Sequence, residues 1–285
     1  MPGNSIEKRQ NFTKQEEAKM AKEFSESTKD EGIGFHCDLF SAKSGIEGQD
    51  GGVVTALLTK GFEQDMFDSA IVVQSKEGYN AEAIEAKNVG DALKAKGTKY
   101  LRINMTQKLL ELIGEGKKRI AIVCTPCQVK SARKIQQTFK NKCEITIIGL
   151  FCFEAFNKDR LKKETEKFLG IDLDKTQKTQ ILKGKFTAVI DGKEYNCKVK
   201  DLDQAIEKSC LYCEDFTSQL ADISVGSVGS KRGYSTVIVR SEVGEELLKN
   251  LDLLKKEVDF DEIDKLSKFK RERAKKNLDA IVKQK

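Results

Sequence analysis

The sequence has no tryptophan, one histidine and two prolines among its 285 residues, and these absences limit its chemistry. With His36 as the single histidine, metal sites built from several imidazoles and nucleophiles activated by histidine are disfavoured. No run of about 18 apolar residues occurs, so no membrane-spanning helix is predicted. Residues 1–30 are charged and lack an apolar segment, which argues against a signal peptide or membrane anchor there. We therefore expect a cytoplasmic chain.

Composition and charge place the chain among globular proteins. Apolar residues make up 39% and charged residues 34% of the sequence, a balance that fits neither a disordered chain nor a membrane protein. The 51 lysines and arginines exceed the 45 acidic residues, giving a net charge of +6. This excess favours acidic ligands but is too small for a nucleic-acid-binding surface, so no nucleic acid is expected as a partner.

Apolar runs that alternate with amphipathic segments predict an α/β fold. Runs at 69–73, 119–123 and 145–153 are typical of strands, and segments with helical spacing follow them. We expect a mixed sheet core flanked by helices, a smaller C-terminal part that contains a β-hairpin at Asp191-Gly192, and helical N- and C-terminal extensions. The expected divisions are an N-terminal helical arm at 1–44, an α/β part at 45–170, and a C-terminal part with a final helix at 171–285.

Eight cysteines in a chain expected in a reducing compartment indicate metal ligation or redox chemistry rather than disulfides. Two C-x-x-C pairs are present, Cys124 with Cys127 and Cys210 with Cys213, and Cys152 stands alone at a predicted strand end. The pairs lie much further apart than the ~15–20 residues typical of a zinc ribbon. An iron-sulfur cluster takes four thiolates and tolerates ligands from distant loops, so four of these five cysteines could hold one [4Fe-4S] cluster.

The positions of the cysteines in the predicted elements separate them further. Pro126 suits the first turn of a helix, so Cys127 is expected at a helix N-terminus, where the dipole stabilises a thiolate. Starts of loops and ends of elements are typical of ligands, which favours Cys127, Cys152, Cys210 and Cys213. Cys124 fits a ligand or a core residue. The remaining cysteines are interpreted as buried apolar residues: Cys37, Cys143 and Cys197.

Three loops rich in small residues are candidate sites for an anionic or flat ligand. Gly51-Gly52 opens a helix and leaves backbone N–H groups for a phosphate, while Lys99 offers a positive charge. These loops match neither the dinucleotide-binding pattern nor the Walker pattern. A plain turn remains the alternative for Gly51-Gly52, a solvated lysine for Lys99, and a structural hairpin for the third loop, at 222–230. The candidate contacts are Gly51, Gly52, Val53, Thr55, Thr98, Lys99, Tyr100, Ser224, Gly226, Ser227 and Gly229.

Several segments, in this order, resemble the β subunits of coenzyme F420-reducing hydrogenase and formate dehydrogenase of methanogenic archaea. They lie between residues 45 and 245 and comprise 48–58, 125–128, 149–153, 208–213 with 215–217, and 221–229. The resemblance implies FAD, one [4Fe-4S] cluster and hydride exchange with the substrate coenzyme F420. It implies cluster ligation by Cys127, Cys152, Cys210 and Cys213, with Cys124 in reserve. It also assigns the flavin to the 45–170 part, at the Gly51-Gly52 turn, and cluster ligands to the C-terminal part.

The resemblance further implies a subunit that passes electrons reversibly from the cluster through FAD to F420 within a cytoplasmic nickel-iron hydrogenase. Its partners would be the hydrogen-splitting large subunit and a small iron-sulfur subunit. No side-chain acid or base is required, since the cofactors supply the chemistry. The same module serving formate dehydrogenase or another donor is the first alternative. A zinc-stabilised interaction protein, which would use the cysteines as structural ligands, is the second.

Overall fold

The computed structural model describes residues 32–283. The strands in this range are β1 Asp38–Ser44, β2 Ser69–Lys76, β3 Asn80–Ala86, β4 Arg119–Cys124, β5 Glu144–Leu150, β6 Lys178–Leu182, β7 Lys185–Ile190, β8 Lys193–Lys198, β9 Ile223–Gly226, β10 Ser235–Val239 and β11 Leu253–Lys256. The α-helices are α1 Val53–Glu63, α2 Val89–Lys94, α3 Met105–Gly114, α4 Pro126–Phe139, α5 Lys158–Leu169, α6 Glu242–Leu248 and α7 Phe260–Lys283. Short 3-10 helices lie at Leu173–Lys175, Val199–Ala205 and Lys208–Tyr212.

Eight strands form one mixed sheet in the order β11-β1-β10-β9-β5-β4-β2-β3. Strands β2, β4, β5 and β9 are parallel neighbours. Strand β1 has the same direction, because β10 is antiparallel to both β1 and β9. The chain therefore leaves all five strands at one side of the sheet, here called the carboxyl edge, which is where open α/β sheets place their ligands.

Helices cover both faces of this sheet because its central strands are apolar on both sides. In β4, Ala121 and Val123 pack in the cluster that contains Leu57 of α1. The alternating residues Ile120 and Ile122 pack in a second cluster, together with residues of α3 and α4. Two buried faces explain why this strand reads as a continuous apolar run rather than as an alternating one.

A second, three-stranded sheet has the order β6-β7-β8. Its β7–β8 turn is Asp191-Gly192, with φ of 49° and 75°. Two positive φ angles define the tight hairpin turn that the Asp-Gly pair predicts. The sheet packs with α5 around Phe156 and Phe186. The predicted fold class, a mixed sheet core with a separate small hairpin sheet and a C-terminal helix, is confirmed.

The predicted limits of the three parts of the chain can be compared with the strands of the main sheet. Most of the N-terminal arm lies outside the described residues, and its segment 38–44 forms a strand, not a helix. The main sheet crosses the division at 170, since β5 before it pairs with β9 after it. The domain limits therefore stay predictions. No helix within 32–283 is both long and apolar enough to cross a membrane.

Candidate functional site

Strand β4 delivers the first C-x-x-C pair to the carboxyl edge. Cys124 ends the strand, Thr125 is the N-cap of α4, and Pro126 is in the first turn. Proline fits there because the first N–H groups of a helix have no intrahelical partner. Cys127 lies in this first turn, as predicted; it is exposed, and its Sγ lies 3.6 Å from Thr125 Oγ1.

The turn after β5 places Cys152 beside two later segments of the chain. The N–H of Cys152 donates to the carbonyl of Phe216 at 2.9 Å. The N–H of the preceding Phe151 donates to the carbonyl of Val225, also at 2.9 Å. Backbone bonds on both sides thus fix the position of Cys152 against β9 and the 213–217 segment.

The second C-x-x-C pair lies in and after the 3-10 helix Lys208–Tyr212. Within the pair, the N–H of Cys213 donates to the carbonyl of Cys210 at 3.3 Å. Glu207, just before this helix, donates its N–H to the carbonyl of Ala155 at 2.9 Å. This bond joins the second pair to the loop that carries Cys152.

The four predicted ligands lie in one group, as their electrostatic interactions show. Burial raises the pKa of the Cys152 thiol to about 12, Lys270 opposes this, and Cys210, Cys127 and Cys213 raise the pKa further. Burial also raises the pKa of Cys210, while a hydrogen bond from the Ala155 backbone lowers it and both Cys127 and Cys213 raise it. Without a bound cation, Cys152 therefore keeps its proton at neutral pH, and metal binding would release it.

The donor types in this group suit an iron-sulfur cluster. Within residues 32–283, no three histidine, cysteine, aspartate or glutamate side chains converge closely enough to hold one metal ion. A zinc ion needs ligands that converge on one atom, whereas the four thiolates of a [4Fe-4S] cluster bind four different irons. The donor set, four thiols from three separate segments, suits the cluster.

Among the other cysteines, Cys124 adjoins this group, since its thiol interacts electrostatically with Cys127. Cys124 is buried in the apolar cluster with Ile122 and Val129, and burial raises the pKa of its thiol. The structure thus gives Cys124 the core role that its sequence position left open. Cys143 is buried as predicted, and Cys197 is partly buried in the second sheet. Cys37 is exposed, so its interpretation as a buried residue is wrong: it lies one residue before β1, outside the strand that enters the core.

Helix α7 donates hydrogen bonds to backbone carbonyls of the cysteine segments. Lys270 Nζ donates to the carbonyls of Cys152 at 2.5 Å and Asp215 at 2.6 Å. Arg273 donates to the Glu154 carboxylate at 2.6 Å and to the Cys210 carbonyl at 3.3 Å. These residues have no signal in the sequence, because a helix rich in lysine and arginine is typical of a solvated surface.

The Gly51-Gly52 turn opens α1 at the same edge of the sheet. Gly52 is the N-cap with φ of 69°, and no side chain caps the first turn, which contains Val53 and Thr55. A Cβ on Gly51 would lie 2.3 Å from the Ala42 carbonyl oxygen, so this position admits only glycine without displacement. An uncapped helix start of this kind can bind the phosphate of an anionic ligand.

Gly52→Ala tests how strongly this turn depends on glycine. We expect the free energy of unfolding to fall by about 1–2 kcal/mol or more, since an L residue is strained at positive φ. The added Cβ would also lie 2.0 Å from the Ile46 carbonyl oxygen. Urea titration measures the change. Gly45→Ala is the matched control because its Cβ meets nothing within 4 Å; an equal loss in both variants would contradict the explanation.

The loop of Thr98, Lys99 and Tyr100 lies against the segment before this turn. The N–H of Thr98 donates to Gln49 Oε1 at 3.0 Å, and Tyr100 Oη accepts from the Ile181 N–H at 2.9 Å. Burial raises the pKa of Tyr100 to about 12. Lys99 Nζ donates to the carbonyls at the end of α2, those of Ala95 at 2.7 Å and Lys96 at 2.9 Å. The structure therefore brings this predicted loop and the glycine turn together.

Burial lowers the pKa of Lys99 from its ordinary value of 10.5 to about 8. Between these two values the unfolded chain retains a proton that the folded chain has released, so Lys99 makes stability rise with pH. We expect the free energy of unfolding of the wild type, relative to Lys99→Met, to increase from pH 8 to 10.5. Urea titrations of both proteins at several pH values measure this difference. A difference that stays constant with pH would contradict it.

The third stretch of predicted contacts, at 224–229, is explained by packing within the protein. Ser224 is buried, accepts from Arg240 Nε at 2.9 Å and donates to the Ser218 carbonyl at 3.1 Å. A Cβ on Gly226 would lie 2.2 Å from the Phe151 ring, and one on Gly229 would lie 2.6 Å from Ile263. Ser227 is only partly buried. Ligand contact at these four residues stays a prediction.

Backbone contacts connect the loops near the glycine turn to the cysteine group. The N–H of Phe156 donates to the Tyr100 carbonyl at 2.8 Å, four residues after Cys152. Arg102, which sequence reasoning missed, donates to Ser209 Oγ at 2.8 Å beside Cys210. The two predicted sites are thus neighbours on one edge of the sheet.

Two family models match the chain, and together with the fold they define an oxidoreductase subunit. The model described as "Coenzyme F420 hydrogenase/dehydrogenase, beta subunit N-term" matches residues 39–111, and the companion model for the C terminus of the same beta subunit matches residues 117–266. The chain belongs to the coenzyme F420 hydrogenase/dehydrogenase beta subunit family. The resemblance found in the sequence is therefore confirmed.

Individual relatives are named after different enzymes. The chain is 38% identical over 262 residues to a coenzyme F420-dependent sulfite reductase of Methanocaldococcus jannaschii, covering 86% of the chain but only 41% of the relative. It is 34% identical to the coenzyme F420 hydrogenase subunit beta of Methanococcus voltae, covering 81% and 88%. A chain of the F420-reducing [NiFe] hydrogenase complex from Methanosarcina barkeri superposes with a TM-score of 0.83 and 29% identity, covering 89% and 94%.

Proposed function

We propose that the chain exchanges electrons between a [4Fe-4S] cluster and coenzyme F420 through FAD, as the F420-reducing subunit of a nickel-iron hydrogenase. The observation that supports this most strongly is the grouping of Cys127, Cys152, Cys210 and Cys213 beside the loops of the glycine turn. When bound, the cluster carries single electrons and FAD converts them into the two-electron hydride exchanged with F420.

The residues of the chain act by binding and positioning. The four thiols would hold the cluster, and α7 holds the backbone carbonyls of two of these cysteines, Cys152 through Lys270 and Cys210 through Arg273. The uncapped start of α1 would bind a phosphate of FAD, in the region of Gly51 and Gly52.

The likeness to a chain of the F420-reducing hydrogenase complex and the near full-length match to the hydrogenase β subunit support the hydrogenase as the electron donor. We therefore propose the nickel-iron large subunit and the small iron-sulfur subunit as partners, in the cytoplasm of a methanogenic archaeon. The 38% identity to an F420-dependent sulfite reductase supports a second candidate, the same module with another donor such as sulfite reductase or formate dehydrogenase.

Anaerobic purification tests this function. We expect a brown protein with about four irons, four sulfides and one FAD per chain, which reduces F420 when reduced viologen supplies electrons. Colourless protein with bound zinc and no flavin would refute the proposal in favour of a zinc-stabilised interaction protein. Co-expression with hydrogenase subunits, compared with formate dehydrogenase or sulfite reductase subunits, identifies the donor by which set co-purifies stoichiometrically.

A further inference from the structure

Lys270 is a buried cation next to the cysteine group. It is 1% exposed, although it belongs to a helix whose other lysines are exposed. Its Nζ donates to the carbonyls of Cys152 at 2.5 Å and Asp215 at 2.6 Å. These two acceptors come from the segment after β5 and the segment after Cys213, so they fix the ammonium group between two parts of the predicted cluster site.

Lys270 differs from its basic neighbours in having no acidic partner in the described part of the chain. Arg273, one turn further along, pairs with the Glu154 carboxylate at 2.6 Å. Lys268 pairs with the Asp264 carboxylate at 2.5 Å on the exposed side of the helix. No carboxylate of residues 32–283 forms an ion pair with Lys270, whose described acceptors are both carbonyls.

A buried ammonium group is costly unless a negative charge compensates it. Lys270 lies next to two of the cysteine segments, since its Nζ donates to the carbonyl of Cys152 and to that of Asp215, two residues after Cys213. A [4Fe-4S] cluster with four thiolate ligands carries a net negative charge, and one-electron reduction increases this charge by one unit. The net charge and surroundings of such a cluster set its reduction potential.

We propose that Lys270 is the counter-charge of the bound cluster and raises its reduction potential. This inference rests on the proposed function, because it requires a cluster at the four cysteines. The fixed positive charge favours the reduced cluster over the oxidised one, since the reduced form has one more negative charge to attract. Reduction takes up one electron from the donor, and no bond or proton of the chain changes. Lys270 is thus a positioning residue that also tunes the potential.

Lys270→Met removes this charge. We expect the equilibrium constant for one-electron reduction of the cluster to fall about tenfold or more, a shift of at least about 59 mV to lower potential. Lys270→Arg retains the charge and should keep the potential near that of the wild type. Lys268→Met is the matched control: it removes the same charge from the same helix at an exposed position, where solvent screens it, and should leave the potential unchanged.

The experiment is a redox titration of the full, cluster-loaded proteins with dithionite and mediators, followed by electron paramagnetic resonance. Iron and sulfide are measured first. Wild-type protein without iron refutes the proposed function and this inference together. Full iron content with an unchanged potential in Lys270→Met refutes the inference alone, as does an equal shift in Lys268→Met.

A second variant keeps the test decisive if Lys270→Met does not fold. Lys270→Gln is neutral, but its amide can still donate to the carbonyls of Cys152 and Asp215. We expect it to show the lowered potential. Loss of iron from Lys270→Gln and Lys270→Met, with iron retained in Lys270→Arg, supports the need for the charge. Loss of iron from all three variants would show a purely structural role and overturn the inference.

Discussion

Replacement of Cys210 by alanine is expected to abolish cluster binding, so that the purified protein loses essentially all of its iron and its visible absorption. The same result is expected for Cys127→Ala. A [4Fe-4S] cluster requires four thiolate ligands, and no nearby thiol of residues 32–283 is placed to substitute. The reserve candidate, Cys124, interacts electrostatically with Cys127, but its thiol is buried among apolar residues, which raises its pKa and disfavours the thiolate that a ligand requires.

Cys197→Ala is the control for both variants. Cys197 lies on β8 in the second sheet, where it is partly buried and packs around Phe186. Its loss should leave iron content unchanged within error. The measurements are iron and sulfide per chain after anaerobic purification, with circular dichroism to confirm folding. Iron content equal to that of the iron-loaded wild type in both Cys127→Ala and Cys210→Ala would refute the ligand assignment.

Asp222→Ala is expected to lower the free energy of unfolding by about 3–5 kcal/mol, because it removes a buried carboxylate that pairs with a buried guanidinium. Asp222 is 2% exposed and its partner Arg133 is 4% exposed. The Arg133 guanidinium donates to Asp222 Oδ1 at 2.6 Å, and the Ile147 N–H donates to Oδ2 at 2.7 Å. Removing the carboxylate therefore also leaves a backbone donor of β5 unsatisfied.

A surface ion pair provides the comparison for Asp222. Glu246 and Lys249 interact at 3.3 Å with both side chains more than half exposed. Glu246→Ala should change the free energy of unfolding by about 0–1 kcal/mol, since solvent screens such pairs. Urea denaturation of the three proteins at one pH and salt concentration measures both effects. A loss in Asp222→Ala no larger than that in Glu246→Ala would contradict the expectation.

The elements that the sequence predicts correctly are those whose local signals agree with the packing. β4 is an apolar run with both faces buried, and Pro126 marks the start of α4. The Asp191-Gly192 pair requires two positive φ angles and forms a hairpin turn. Strand β3 could not be predicted, because its alanines and glutamates have low strand propensity and it forms only by pairing with β2 at the sheet edge.

In the candidate site, too, residues with a local sequence signal could be predicted, and residues positioned by distant packing could not. Cys127 and Cys152 could be selected because they follow strand ends, and a shared direction of the strands brings such ends to one edge. Cys210 and Cys213 could be selected by their C-x-x-C spacing. Lys270 could not be selected, since its burial depends on how α7 packs against segments that are distant in sequence. Ser224 and Gly229 show why small residues are ambiguous: they are compatible with ligand contact, and packing against protein neighbours explains them equally well.

The position of α7 in the sequence has a consequence for biosynthesis. A ribosome makes all four cysteines before it makes Lys270 and Arg273, which donate to the carbonyls of Cys152 and Cys210. Until α7 is synthesised and packs against the cysteine loops, these loops lack its hydrogen bonds. A metal delivered earlier would therefore meet an incomplete binding site. Insertion of the inorganic core is thus expected after translation has passed residue 277, whose side-chain amide also donates to the Leu211 carbonyl.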